Sequence, residues 1–202
     1  MAKHFSEKER KQIMATLCEV GNLEFSKRGL RAARIEDICR AVGISKGSFY
    51  NFYATKEQLF LAIVEQRERI YRDAMRQLVE TFSGEEKGLI DGLFDITVNA
   101  IRTDPFIGVM LQPGEIEHLA RKMGPEQMAK HQSGDFAFFA DLTKTMQSRG
   151  YCTSAQLNTM AEISVLIFCL IMQAGLLPVE SFDASLAHLN DLLHFKLSNK
   201  GA

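Results

Sequence analysis

Apolar positions recur at spacings of three and four along most of the chain, the period of a helix with one buried face. Ile13, Leu17, Val20 and Phe25 form the first stripe. It opens on Ser6-Glu7-Lys8-Glu9, a capping box in which Ser6 accepts from the third helical amide and Glu9 reaches back. It closes on Lys27-Arg28-Gly29, a basic last turn with a glycine stop. A short second helix is predicted over 34–41, with Ile35, Ile38 and Val42 on one side and Gly43 as its break. Ser45 caps a third short helix that ends near Phe52. Thr55-Lys56-Glu57-Gln58 is another capping box, and the stripe behind it runs from Leu59/Phe60 to Phe82. That stripe predicts a helix of about seven turns, long enough to leave one domain and enter the next.

Further on, Ser83-Gly84-Glu85-Glu86 caps a helix to about residue 102, and Asp104-Pro105 opens another by the cap-then-proline rule. Gln112-Pro113-Gly114 breaks it, a short helix covers 115–123, and Gly124-Pro125 restarts the chain. Residues 135–149 are amphipathic through Phe136, Phe139, Leu142 and Met146, and helices over 153–177 and 183–198 close the chain. The pattern predicts an all-α fold of about nine helices, with no strand and no repeat. Only 4 Pro and 14 Gly agree with it, and 46% hydrophobic residues against 24% charged exclude a disordered or disulfide-stapled chain. No stretch approaches the roughly 20 apolar residues of a membrane span. The start, Met1 to Ser6, lacks the apolar core of a signal peptide. Four cysteines without a CxxC pair read as reduced thiols, so a cytoplasmic protein is expected.

Charge changes the picture. Residues 1–56 carry 11 Lys/Arg and 6 Asp/Glu, whereas 57–202 carry 13 and 19. A basic amino-terminal module on an acidic remainder points to a polyanionic partner for the first part. Within it, residues 35–52 have the dimensions of a helix-turn-helix: two short helices around Ala41-Val42-Gly43-Ile44. Gly43 supplies a left-handed turn at no steric cost, and Ile38, Val42, Ile44 and Phe49 suit the small core between the helices. The second helix starts Ser45-Lys46-Gly47-Ser48, small or basic residues at the positive helix end, where phosphate or a groove can approach closely. Tyr50 and Asn51 follow on the exposed side. Lys56 stands at the next helix start, where a cation opposes the macrodipole unless another function holds it there.

The gapless run from Gly29 to Leu59, with Asp37-Ile38, then Ala41-Val42-Gly43-Ile44-Ser45-Lys46-Gly47, Tyr50 and Lys56-Glu57-Gln58-Leu59, resembles the TetR family of bacterial transcriptional regulators. The resemblance covers the first third of the chain. It implies a DNA-binding head over 1–55 and a helical ligand-binding and dimerisation domain over 56–202. It also implies that Tyr50 and Lys56 hold phosphates, and that Lys46, Gly47 and Ser48 face the groove. The expected DNA set is Arg34, Ser45, Lys46, Gly47, Ser48, Tyr50, Asn51 and Lys56. Many relatives place Thr or Ser at position 33, where it caps the second helix and touches phosphate; here Ala33 lacks that contact, and Arg34 beside it is the candidate substitute.

Residues 163–177 are apolar nearly all round, so that helix is either central or packed inward on one side and on a partner on the other. The expected homodimer interface is Val165, Phe168 and Met172 with Leu189 and Leu193. The resemblance implies the same two-helix contribution from each subunit, which places two heads on a near-palindromic double-stranded operator. Residues 85–150 are rich in Phe and Met, the composition of an adaptable apolar pocket and equally of a packed core. Phe94, Met110, Phe136 and Phe139 are the pocket candidates for a small apolar effector.

A metal or redox sensor is the rival reading. Glu115 and His118 share a helical face, and Asp191/His194 is the only similar pair. Cys18 and Cys39 fall near apolar faces of the head, where thiols are mostly inert. No Gly-rich phosphate loop or HExxH occurs. The sequence thus predicts a non-enzymatic regulator, a repressor released from DNA by its effector, with no cofactor and no metal.

Overall fold

The capping box at Ser6 forms as the sequence predicts: Ser6 Oγ accepts from the Glu9 amide at 3.3 Å, and Glu9 Oε2 accepts from the Ser6 amide at 2.8 Å. It starts α1 (Glu7–Ala32), the first of nine helices whose bounds fall among the described residues of this computed structural model, which are 6–151, 166–167, 169–171 and 176–198. No strand occurs among them. The others are α2 (Ile35–Val42), α3 (Lys46–Phe49), α4 (Lys56–Thr81), α5 (Glu86–Thr103), α6 (Pro105–Met110), α7 (Glu115–Met123), α8 (Pro125–Ser148) and α9 (Val179–Ser198). The chain forms two compact units, one from residues 1–69 with 104–128, the other from 70–103 with 129–202. The long α4 belongs to both.

The first unit is built around the stripe read from α1. Leu17 and Phe25 are fully buried with Leu30, Ile38, Phe49, Leu59 and Phe60, while Ile13, Val20, Val42 and Ile44 flank them. Gly21 lets α1 sit directly on α4: a Cβ there would lie 3.0 Å from Leu59 Cδ2. Phe60 meets the Phe25 ring edge-to-face at 5.1 Å and lies tilted on Phe106 at 4.7 Å, so α6 joins the core of the head. Asp104 caps α6 by accepting from the Phe106 amide at 3.0 Å, as its position before Pro105 predicts. Leu119 of α7 is buried in the same cluster.

In the second unit Val79, Leu89, Phe138, Leu142 and Met146 form one cluster. Val98, Phe182 and Leu186 form another, and Ile90 packs on Leu193. The carbonyls that end α4 are satisfied from a distance in sequence. Arg149 donates to the carbonyls of Val79 and Phe82, and Tyr151 Oη donates to that of Phe82 at 2.8 Å.

Four details differ from the sequence expectation. The helix after Ser83 begins at Glu86, with the Glu85 carbonyl accepting from Gly88 and Leu89. α8 starts at Pro125, ten residues before the predicted 135. Its first turns are mostly polar and solvent-facing, so no apolar period announces them, yet proline with its fixed φ is a good first helical residue. The buried stripe of α8 is Phe138, Leu142 and Met146 rather than one through Phe136 and Phe139, which stand 75% and 47% exposed. α9 begins at Val179 rather than 183, because Phe182 is already part of its buried face. The predicted helix over 153–177 lies largely outside the described residues; its described part, 166–167 and 169–171, is helical.

Candidate nucleic-acid interface

Gly43 makes the turn. Its φ of 78° and ψ of 28° place it in the left-handed region that the sequence reading assigned to it. Its amide and that of Ile44 both bond the Cys39 carbonyl, at 2.9 and 3.0 Å, closing α2 and aiming the chain into α3. Ser45 caps α3, its Oγ accepting from the Ser48 amide at 3.1 Å and lying 2.9 Å from Ser48 Oγ. α3 is one turn long, ending at Phe49, and hydrogen-bonded turns carry the chain to Tyr53. Phe49 anchors it in the core at 0% exposure, 5.6 Å edge-on from the Tyr50 ring and 6.1 Å from Tyr53.

The residues opposite Phe49 form an open surface. Ser45, Lys46, Gly47, Tyr50 and Asn51 are exposed, Ser48 is half-buried, and among the described residues the one side-chain atom within 4 Å of a Cβ built on Gly47 is Ser45 Oγ, at 3.8 Å. Arg10 of α1 fixes the far end, donating to the Asn51 carbonyl at 3.1 Å with its guanidinium 5.0 Å over the Phe52 ring. Burial pushes the Tyr53 hydroxyl well above its ordinary pKa, with the Cys18 thiol 3.4 Å away adding to the shift. Burial likewise raises the Cys39 thiol, so Cys39 stays protonated as a core side chain.

Arg34 stands where α2 begins; it provides no side-chain cap, is exposed, and its side chain has no partner among the described residues. Ala33 beside it is buried at 2%. Lys56 Nζ donates to the carbonyls of Arg31 and Ala33, at 2.9 and 3.0 Å. It therefore closes the end of α1 rather than lying free on its own first turn, and an ammonium with three donors keeps one for another acceptor. Thr55 caps α4 through the Gln58 amide at 3.1 Å, and Gln58 reaches back to the Ala54 amide at 2.9 Å.

Three acidic side chains, to which the sequence reading assigned no role in the head, hold this surface in place. Glu36 of α2 accepts from Lys46 Nζ of α3 at 2.5 Å. That bond lowers the Glu36 carboxyl and raises the Lys46 ammonium from their ordinary values. Glu115 of α7 is buried at 8% and accepts from the amides of Leu30 and Arg31, at 2.7 and 3.2 Å. Those two amides follow Gly29, whose φ of 79° and ψ of 164° kink the last turn of α1 and leave them without helical partners. Glu57, buried at 7%, lies 3.0 Å from His118 Nε2. Burial alone would raise its carboxyl, but the hydrogen bond from His118 and the nearby Lys56 charge bring it below the ordinary value. Glu115 and His118, paired as possible metal ligands in the sequence, thus turn to different partners, α1 amides and Glu57. In the second unit His194 and Asn190 both bond Asp91, at 2.6 and 3.1 Å.

Met110 packs on the core of the first unit, Phe94 on the Val98, Phe182 and Leu186 cluster of the second, and Phe136 and Phe139 are exposed. Of the interface candidates, Val165, Phe168 and Met172 lie outside the described residues. Leu189 is half-buried, and Leu193 is buried at 6% against Ile90.

Residues 19–63, which carry this surface, match the family model described as bacterial regulatory proteins, tetR family. The repressor NemR of Escherichia coli K12, an HTH-type transcriptional regulator, is 24% identical over 99 residues. That match takes in 49% of this chain, and the chain spans about half the length, 48%, of that relative. A TetR-family regulator of Mesorhizobium loti superposes with a TM-score of 0.68 at 15% identity, over 93% of this chain and 97% of its own. Another from Pectobacterium atrosepticum gives 0.68 at 18% identity, over 96% of each chain. Residues 19–63 thus match the amino-terminal domain model of the tetR family of bacterial regulatory proteins, and the all-α fold of the chain is the one that solved TetR-family regulators share.

Proposed function

We propose that this chain is a cytoplasmic transcriptional regulator, a repressor that binds a near-palindromic double-stranded operator as a homodimer and leaves it when a small apolar effector binds. The observation that carries the reading is the open face of α3: a Ser45-capped helix start with Lys46, Gly47, Tyr50 and Asn51 exposed, seated on the core through Phe49. Such a start presents its amide dipoles and one lysine to a groove with nothing bulky in the way. Exposed Arg34 and the spare donor of Lys56 flank it as phosphate contacts.

The homodimer reading rests on apolar side chains left uncovered on successive turns. Leu192 and Phe195 of α9 are 37% and 64% exposed, and Leu166 and Cys169 stand exposed three residues apart. A second copy covers such a stripe with the same stripe.

Effector release requires the ligand to favour one arrangement of the head over another. The chain supports a route for it, because α6 and α7 lie between two segments of the second unit in sequence yet pack on α1. Through Glu115 and His118, α7 holds both the end of α1 and the start of α4. The chain works by binding and carries out no reaction.

Selection of bound duplexes from a randomised pool, read by sequencing, tests the reading. Recovery of one motif with two inverted half-sites is expected, and a pool that stays random after several rounds would overturn it. A thermal-shift screen of lipophilic metabolites, followed by release of the selected duplex, tests the effector.

A further inference from the structure

The basic residues of the helix-turn-helix are held by acids from its own first helix. Asp37 pairs with Arg40 at 3.3 Å and also with Arg28 of α1 at 3.6 Å, and Glu36 pairs with Lys46. Lys46 is the only basic residue of α3, so Glu36 neutralises the one charge that this helix presents. The pair bridges α2 and α3 across the turn, and each side chain remains 52% exposed. A nucleic acid can therefore reach it and compete for it.

We propose that Glu36 is a specificity-determining residue: by holding Lys46 in an ion pair on the DNA-reading face, it suppresses binding to arbitrary duplexes, while a cognate site draws Lys46 onto its own acceptors. The inference rests on the DNA-binding reading above. Non-specific affinity comes from neutralising phosphates and releasing their counterions, a gain that any sequence offers. An ammonium already neutralised by a carboxylate gives little of that gain. The carboxylate itself repels any phosphate brought near the pair. A cognate base edge or a well-placed phosphate compensates for breaking the pair through a directed hydrogen bond, and an arbitrary sequence does not. Glu36 thus lowers affinity for all DNA, and lowers it most for the wrong DNA.

The test compares the wild type, Glu36→Gln, Lys46→Ala and the double variant as intact proteins. Each is titrated by fluorescence anisotropy with a random-sequence 30-bp duplex and with a duplex selected on the wild type, between 0.05 and 0.4 M salt. Glu36→Gln frees one lysine per subunit, so a dimer gains two phosphate contacts on random DNA. The slope of log affinity against log salt then steepens by up to about 1.8, and affinity at 0.1 M rises by up to roughly 60-fold. Affinity for the selected duplex rises less, so the ratio between the two narrows. In the Lys46→Ala background the Glu36→Gln effect on slope largely disappears, since the two act as one pair. The melting temperature stays close to wild type, because the pair is exposed. An unchanged random-DNA slope in Glu36→Gln, or a full effect that persists without Lys46, would overturn the inference while leaving the DNA-binding reading intact. A wild type with no salt-dependent affinity for either duplex would overturn both.

Discussion

Glu115→Ala removes one side chain from the interface of α7 with α1, and its cost follows from what that side chain holds. The carboxylate accepts two amides, Leu30 at 2.7 Å in a buried position and Arg31 at 3.2 Å in a half-buried one. Hydrogen bonds to a charged acceptor contribute about 1.5–3 kcal/mol each, and a buried amide left without a partner costs about 1–3 kcal/mol. The Arg31 amide is close enough to the surface to turn to water, so most of the loss falls on Leu30. A destabilisation of about 2–4 kcal/mol is expected, at the upper end of single-substitution effects. Glu115→Gln keeps an acceptor oxygen and should lose about half of that. Gly29→Ala should be as damaging from the other side. Its φ of 79° with ψ of 164° lies in a region essentially restricted to glycine, at about 1–3 kcal/mol for other residues. An added Cβ would also meet Glu115 Oε1 at 3.1 Å. The assay is urea denaturation followed by circular dichroism, paired with amide hydrogen exchange at Leu30 and Arg31. Loss of protection at these two amides should accompany the loss of stability. Full stability in Glu115→Ala with both amides still protected would refute the assignment of Glu115 as the cap of the kinked turn.

Further outcomes follow from the same geometry. Lys56→Ala removes two bonds to α1 carbonyls, so it should destabilise by about 0.5–1.5 kcal/mol in thermal denaturation; a more stable variant, as the macrodipole alone would give, would contradict the observed contacts. Glu57 has a folded-state pKa below its ordinary value, so its contribution is complete above the glutamate range near about 4.3 and is lost as pH falls through the lower folded value. The acid limb of stability against pH should therefore flatten in Glu57→Gln, and an unchanged limb would show that the His118 pair contributes nothing. Phe195→Glu places a charge on the exposed stripe of α9, and analytical ultracentrifugation should report a folded monomer; an unaffected dimer would move the interface elsewhere.

The helix-turn-helix was legible because its signals are local. Gly43 in the left-handed turn, the Ser45 cap and the burial of Ile38 and Phe49 each follow from neighbours within a few residues. The Thr55 and Asp104 caps were legible for the same reason. What periodicity missed is long-range. Glu115 lies 85 residues from Leu30, and its role depends on a kink that only the folded α1 reveals. The pairing of Glu36 with Lys46, ten residues apart, did carry a signal: opposite charges on the two arms of a predicted turn. The misplaced face of α8 has another cause. Phe136, Phe138 and Phe139 all suit a core, and a helical period through one Phe or its neighbour differs by a single residue. Phe138 is the inward one, covered by the guanidinium groups of Arg72 and Arg76 at 5.4 and 5.1 Å. The start of α8 was illegible because a solvent-facing helix needs no apolar stripe.

The central claim is that the α3 face binds duplex DNA, and the salt dependence of that binding tests it most directly. On the proposed reading, Arg34 and Lys56 supply two phosphate contacts per head, hence four in a homodimer. Anisotropy of a duplex selected from a random pool should therefore show log affinity falling against log salt with a slope near about −3.6. Arg34→Ala should reduce that slope by about 1.8. A flat salt dependence, or a slope unmoved by Arg34→Ala and by Lys56→Ala alike, would contradict the assignment of this face to DNA.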